Sequence, residues 1–583
     1  MASAASESYY IGIDVGTGSA RAGLVKADGT LLATSTHATQ TWRDPDDHRI
    51  FEQSTLDIWA GIAKTVRAVL AESGVSPERV RGLGFDATCS LAVSDENGEP
   101  VTVTKGDALG TGGERNIILW ADHRAEKEAE LINSTGTVPL KYVGGTMSLE
   151  MEIPKVLWLK NHMRPDLFKR CQFFDLPDFL TYRATSDNAR SYCSLTCKCS
   201  YVPSEAGWQS DFFDKIGLGE FVTEGFRQLG AVRKEHVLNA GMPVGKGLSK
   251  RAAEELGLLE GTPVGSGVID AYAGWLGTVA ASITENGQHK GQHPSVDESR
   301  HRLAAVAGTS TCYVVQSPQA VFVPGVWGPY KDVVFPGWWM NEGGQSSTGQ
   351  LIDFMIKTHP AYNRLVELAE QKKTNIHAVL QSLLEELRDK DGLGSFTEIT
   401  KDMHFYPDLH GNRSPIADPR MRGSLVGLAL DSTLHDLARK FNLTLEAIAL
   451  QTRHIVDSMN AAGHAIDAIY MSGGQAKNRA LMQLLADCCG MPVVLPADGG
   501  TAVVLGSAML GRFADEAKGK TFGPEEQSKR FWDIMVEMTP SGTIVRPAAS
   551  PKEKKLLEAK YKIFREAIDI QYRWRAQIEE ASK

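Results

Sequence analysis

Residues 9–34 read "YYIGIDVGTGSARAGLVKADGTLLAT", and the elements flanking the glycines of Asp14-Val15-Gly16-Thr17-Gly18-Ser19 decide the fold. A dinucleotide fingerprint or a P-loop runs from a strand through its glycines into a helix. Here the alternation predicts strands on both sides, "YYIGID" and "SARAGLVK". A third, "TLLATSTHA", comes after an Asp28-Gly29 hairpin signal. A glycine turn between two strands can hold phosphate through backbone N–H groups, so the pattern excludes a Rossmann site without excluding a nucleotide. "GMPVGKG" (241–247) also fails as a P-loop: three residues separate its glycines, Gly follows the Lys, and Pro243 interrupts it.

Outward from this stretch, "STLDIWAGIAKTVRAVLAESG" predicts a helix over 54–74, capped at Ser54 or Thr55. "VRGLGFDATCSLAVSDENGEPV" reads as two strands meeting at a polar corner, with an Asn97-Gly98 turn beyond. Helical runs come next between 147 and 182, with Pro154 and Pro177 as openers. Residues 280–301 are polar without apolar period and are read as a linker or loop. The strand–glycine–strand theme then returns in "HRLAAVAGTSTCYVVQS". Farther on, helices and strands alternate from "LEAIALQTRHIVDSMNAAG" to "TAVVLGSAMLGRF", as in a parallel layer covered by helices. The expected organisation is an N-terminal lobe over 8–279, the linker at 280–301, a C-terminal lobe over 302–548 and a helical extension over 549–583.

Length and composition bound the function. At 583 residues the chain exceeds one ordinary core. Its net charge of −9 is interleaved rather than gathered into a basic stripe, which argues against a nucleic-acid partner. "MASAASESYY" lacks a secretory pattern and no stretch of about 18 apolar residues occurs, so a cytoplasmic protein with no membrane association is expected. The eight cysteines read as reduced thiols, and "CSLTCKC" (193–199) lacks the partner pair of a zinc site.

Four short stretches stand out: Asp14 to Ser19, "GVIDAYAG" (267–274), "AGTS" (307–310) and "SGGQAKNRALMQLLAD" (472–487). In that order and spacing they resemble the FGGY family of carbohydrate kinases, within the actin-like, ribonuclease-H-like ATPase superfamily. "NEGGQSSTG" (341–349) and "LWADHR" (119–124) narrow the resemblance to the ribulokinase-like branch, and "TCSLAV" (88–93) to its D-ribulose-type members. The resemblance implies an α/β fold of two such lobes, with mixed sheets flanked by helices and the active site in the interlobe cleft. It implies ATP and Mg²⁺ as cofactors and phosphorylation of a ketopentose, D-ribulose to its 5-phosphate. L-ribulose, xylulose or a related polyol remains open as the sugar, and an actin-like or chaperone-like ATPase without sugar as the other class. Either a monomer or a homodimer fits.

Residue by residue, the resemblance places Asp14 beside the Mg²⁺. It assigns the nucleotide to Asp14, Gly16, Thr17, Gly18, Ser19, Arg21, Gly308, Thr309, Ser310, Gly473, Gly474 and Asn478. A side chain at Gly473 or Gly474 would obstruct the purine. Asp270 is the candidate base, because a sugar hydroxyl is a poor nucleophile until a carboxylate takes its proton. It falls where a strand enters a helix, so it also suits an N-cap whose helix favours the ionised form. For the sugar, Asp86, Thr88, Cys89 and Ser90 fall at the corner where related kinases contact substrate. Trp120, Asp122, His123, Glu342 and Asp270 itself add an aromatic and polar cluster, and Lys155 either meets a phosphate or closes an ion pair.

Overall fold

The computed structural model describes residues 7–285, 288–290, 293–497 and 499–583. The described residues form two compact units: those up to 304, in 314–342 and in 496–542 make the first, and 305–313, 343–495 and 543–583 the second.

The first unit is built on a mixed sheet whose strand order is Val264–Ile269, Val80–Ala87, Tyr9–Val15, Ser19–Lys26 and Leu31–Ala38. The first three strands are parallel and the rest continue as antiparallel hairpins. Helix Thr55–Ser73, capped by Ser54 Oγ accepting from Asp57 N–H, buries Ile58, Ile62, Val66 and Val69 in a core with Ile11, Ile13 and Phe85. The alternate residues of the same strands face helix Ala502–Ala517, and here the sequence carries glycine. A Cβ on Gly12 would sit 1.9 Å from Val504 O, and one on Gly84 2.2 Å from Ser507 O. Only glycine lets the helix lie this close to the strands. The alternation that puts Gly12 and Gly84 under the helix puts Asp14 and Asp86, two residues on, at the end of that same face.

A second sheet in this unit runs Trp42–Arg43, Phe51–Gln53, Ile117–Ile118, Leu91–Ser94 and Gln172–Asp175, all antiparallel. Within 280–301, Ile283–Glu285 pairs with Gln288–Lys290, and a 3₁₀ helix spans Val296–His301 behind a Ser295/Glu298 capping box. The described part of the stretch read as a linker is thus locally ordered by backbone pairing and capping, which an apolar period does not register. Residues 286–287 and 291–292 of that stretch lie outside the described residues.

In the second unit, strand Ala468–Ser472 pairs in parallel with Val493–Pro496, with helix Arg479–Cys489 between them in sequence. Helix Leu434–Ala461 runs through the core, and Gln345 Nε2 donates to Tyr313 Oη, Thr452 Oγ1 and Ile448 O beside it. The C-terminal helix Pro551–Ala581 is anchored by buried Lys560, which donates to Glu446, Thr400 O and Met403 O.

Candidate active site

Three carboxylates collect at the same end of three neighbouring parallel strands. Asp14 is paired in register with Asp86, and Asp270 directly follows Ile269, which pairs with Ala87. Asp86 is fully buried, and Ser507 Oγ donates to its Oδ2 at 2.5 Å. Burial, then the neighbouring charge of Asp14, pushes Asp86 well above the usual carboxylate range. Burial also raises Asp14, against the pull of Arg21, whose Nη1 lies 4.0 Å from Asp14 Oδ2. Asp14 and Asp86 are register partners on adjacent strands, and the charge of Asp14 disfavours ionisation of Asp86. With both ionised, Asp86 Oδ1 receives no donor. A cation would relieve both the repulsion and the orphaned oxygen, so the pair fits Mg²⁺ held by one or two carboxylates and otherwise by water and phosphate. Among the described residues no group of three His, Cys, Asp or Glu side chains forms a closed metal cage.

Asp270 differs from its sequence reading in two respects. It is the first residue of helix Asp270–Leu276 rather than its cap, and its own Oδ1 accepts from Ala271 N–H at 2.7 Å. Its ionisation is disfavoured: burial and then the charge of Asp14 outweigh that bond, and its pKa is raised to about 7. A helix terminus contributes less than burial among like charges.

The turn beside Asp14 closes through Gly16 N–H donating to Ser19 O at 3.0 Å. A Cβ on Gly18 would meet nothing within 4 Å, and one on Gly16 only Ser19 O at 3.9 Å. Neither glycine is demanded by packing or by a left-handed φ; their missing side chains leave open space over the backbone, as a cradle for an anion does. Trp120 reaches the turn, its Nε1 donating to Thr17 Oγ1 at 3.0 Å. Arg21 Nη1 also donates to Gly500 O.

The residues nominated for the sugar divide. Thr88 Oγ1 and Ser90 Oγ lie 3.1 Å apart, and Ser90 Oγ accepts from Trp120 N–H. Cys89 is buried beside them, its thiol pushed well up by burial. Asp122, by contrast, is engaged within the scaffold: its carboxylate accepts from Phe51 N–H at 2.7 Å and pairs with buried Arg124 at 2.8 Å. Lys155 is fully buried and donates to Leu119 O at 3.0 Å. His123 is exposed, and its backbone N–H donates to Arg49 O. Glu342 lies 3.6 Å from buried Lys198, whose ammonium sits 4.2 Å above the Trp327 ring. Both charges are felt by Asp270.

Lys198 escapes a reading of the sequence because it sits inside "CSLTCKC", where the cysteines draw the eye. The available signal is that Lys198 is the one charged residue between Tyr192 and Tyr201. The same segment packs against the Asp270 strand, with Cys193 Sγ accepting from Ile269 N–H.

In the second unit the Gly308-Thr309-Ser310 turn closes through Gly308 N–H donating to Ser310 O at 2.9 Å, and Gly308 too opens on empty space. Gln475 Nε2 donates to Gly308 O and to Thr348 Oγ1, both at 2.7 Å. The glycine pair at 473–474 separates into two cases. Gly473 has φ +86°, and a Cβ on it would lie 2.2 Å from Ala307 O, so backbone strain and packing account for it. Gly474 faces open space. It lines a cavity of about 880 Å³ with Gln475, Asn478, His377, Phe396 and Phe441. Asn478 caps helix Arg479–Cys489, its Oδ1 accepting from Leu481 N–H at 3.1 Å.

Parallel strands ending in acids, next to a glycine turn between antiparallel strands, place the chain in the actin-like ATPase fold class. It overlays a xylulose kinase from Rhodospirillum rubrum with a TM-score of 0.71 at 20% identity, over 97% of this chain and 99% of that one. A Plasmodium falciparum glycerol kinase with ADP gives 0.70 at 14% identity, over 97% and 98%. The N- and C-terminal domains of the FGGY family of carbohydrate kinases match residues 9–277 and 303–514. A D-ribulokinase of Saccharomyces cerevisiae is 47% identical over 520 residues, 87% of this chain and 72% of that protein. An FGGY carbohydrate kinase domain-containing protein of Homo sapiens is 41% identical over 567 residues, 97% of each. The chain belongs to the FGGY family of carbohydrate kinases, phosphotransferases that use ATP and a hydroxyl acceptor. Among the described residues no helix is long and apolar enough to cross a membrane.

Proposed function

We propose that the chain transfers the γ-phosphoryl group of ATP to a ketopentose, D-ribulose, giving D-ribulose 5-phosphate and ADP, with Asp270 as general base. The observation that carries this reading is the half-buried Asp270 carboxyl, poised at about 7 among Asp14, Glu342 and Lys198. A base titrating near neutral pH is available in its ionised form and still strong enough to take a proton. Asp270 accepts the proton of the sugar hydroxyl as that oxygen bonds to phosphorus, and the bond from phosphorus to the bridging oxygen of ADP breaks. Lys198 and Glu342, with Thr88 and Ser90, supply donors and acceptors for a polyol, and Trp120 an apolar wall. The open turns at Gly16–Ser19 and Gly308–Ser310 supply phosphate donors, and the cavity at Gly474 takes the nucleoside. Asp14 and Asp86 are the groups for Mg²⁺, which when bound neutralises charge on the phosphates. Residues 8–279 carry the first phosphate turn and, with Glu342, the sugar, and the rest of 302–548 the nucleotide.

The choice of D-ribulose rests on the name of the yeast relative at 47% identity. The test is a panel of ketoses, aldoses and polyols with Mg-ATP, following ADP release and locating the new phosphate by ³¹P NMR. D-ribulose is expected to stimulate most and to be phosphorylated at O5. Preference for L-ribulose or xylulose would reassign the sugar, and ATP turnover indifferent to every sugar would overturn the kinase reading.

A further inference from the structure

The three-residue strand Phe51–Gln53 lies between the "LWADHR" stretch and the Gly16–Ser19 turn, and its successive side chains point to opposite sides. Glu52 bonds Arg124 of "LWADHR" at 3.0 Å and accepts from Thr104 Oγ1 at 2.7 Å. Gln53 reaches the phosphate turn: its Nε2 donates to Thr17 O at 2.8 Å and to Thr41 Oγ1 at 3.1 Å. The carbonyl of Thr17 can only accept, which fixes the orientation of the Gln53 amide. The backbone of the strand adds to both attachments. Phe51 N–H donates to Asp122 Oδ2, Leu119 N–H to Phe51 O, and Asn116 N–H to Gln53 O. Trp120 closes the circuit from the other side through its bond to Thr17 Oγ1.

Thr17 is thus held at its carbonyl by Gln53 and at its hydroxyl by Trp120. Gln53 is fully buried, and its Oε1 receives no donor, an orphaned acceptor whose cost is justified only if the Nε2 bonds matter. A buried amide that donates to the Thr17 carbonyl and to Thr41 Oγ1, itself a donor to that carbonyl at 3.3 Å, is a positioning device for the turn. The order Glu52-Gln53 then ties "LWADHR" to "DVGTGS" through one rigid element.

We infer that Gln53 is a positioning residue that couples occupancy of the sugar pocket to the geometry of the Gly16–Ser19 phosphate turn, so that ATP is turned over productively only with sugar in place. This rests on the proposed kinase function. The test compares the wild-type chain with Gln53→Met, which keeps length and removes both donors, and with Trp120→Phe, which keeps an aromatic ring and removes the indole N–H. ATP turnover is measured with and without D-ribulose, together with ADP formed per sugar phosphate. In Gln53→Met the ratio of sugar-stimulated to sugar-free turnover is expected to fall about tenfold, with ADP exceeding sugar phosphate and the sugar KM within about threefold of wild type. Trp120→Phe is expected to shift the ratio in the same direction, and Gln53→Asn, whose shorter amide cannot reach both Thr17 O and Thr41 Oγ1, carries the test should Gln53→Met not fold. A purely structural loss lowers both rates together and leaves their ratio and the stoichiometry unchanged. Wild-type ratio and one ADP per sugar phosphate in the folded variants would overturn the inference alone. Absence of sugar stimulation in the wild type would overturn the kinase reading, and this inference with it.

Discussion

The two glycine turns share a backbone device and differ in what lines them. Gly16–Ser19 opens beside Asp14, with Asp86 and Asp270 on the adjoining strands and Arg21 on the next strand of the hairpin. Gly308–Ser310 carries hydroxyls and is held by neutral groups, Thr348 and Gln475, with Lys477 and Arg479 lining the cavity beyond it. A charged lining among buried neighbours can have its proton affinity moved by several units, and a neutral one cannot. Under the proposed function, the first surrounding handles a proton and a cation, and the second only grips an anion. The comparison breaks if removing charge from the first turn's surroundings and removing space from the second unit's cavity have similar consequences.

The largest difference is expected at Asp270. Asp270→Asn keeps an acceptor for Ala271 N–H and removes the base. Turnover should fall about a hundred- to ten-thousand-fold, with ATP affinity by calorimetry unchanged. Wild-type-like turnover would take Asp270 out of the role. The pH dependence carries a sign. The base works ionised and is protonated below its pKa, so kcat should climb as pH rises and level off above about 7. Positive charge from Mg²⁺ near Asp14 lowers that pKa, so the limb in the working complex lies at or below this value. Asp270→Asn should lose the limb altogether.

Much of this arrangement can be read from the residues, and what escapes has a common cause. "YYIGID" and "SARAGLVK" alternate cleanly because one sheet face is core, so the strand–turn–strand reading needs only local information. The acids at 14, 86 and 270 can be nominated because each ends a recognisable strand. Their protonation cannot: it depends on the parallel register that sets Asp14 beside Asp86, and on a Ser507 that lies 421 residues from Asp86. Gly12 and Gly84 carry no visible purpose until a helix from residues 502–517 is laid across them. Asp122 reads as a free pocket acid in "LWADHR", yet Arg124 two residues on and Phe51 N–H claim it. Contacts made across the fold decide which polar groups remain available, and local pattern does not encode them.

A middle-sized effect separates the two glycines that the sequence treats alike. Gly473→Ala forces a side chain into positive φ and onto Ala307 O, so it should cost about 1–3 kcal/mol of stability or more, seen as a lowered Tm. Gly474→Ala meets no protein atom within 4 Å, so its Tm should match wild type. If the nucleoside packs there, KM for ATP should rise about tenfold or more with sugar KM unchanged. An unchanged ATP KM in Gly474→Ala would move the nucleoside away from that end of the cavity, and the second unit's role in the comparison would lose its support.

The smallest effect tests whether the charged surroundings act through Asp270 or merely near it. Glu342 raises the Asp270 pKa and Lys198 lowers it. Neutralising each should therefore move the acidic limb of kcat in opposite directions: Glu342→Gln toward lower pH, Lys198→Gln toward higher pH, each by less than about one unit at saturating sugar. Because the two groups are buried 3.6 Å apart, each single variant removes one partner of the ion pair and should lower Tm, whereas the double variant restores the net charge and returns the limb toward its wild-type position. Pocket damage alone raises the sugar KM in both variants and gives no reason for shifts of opposite sign. If the limbs of both variants coincide with wild type, the pH dependence belongs to another group, and the charged lining of the first unit would no longer be distinguished from the neutral lining of the second by its control over a proton.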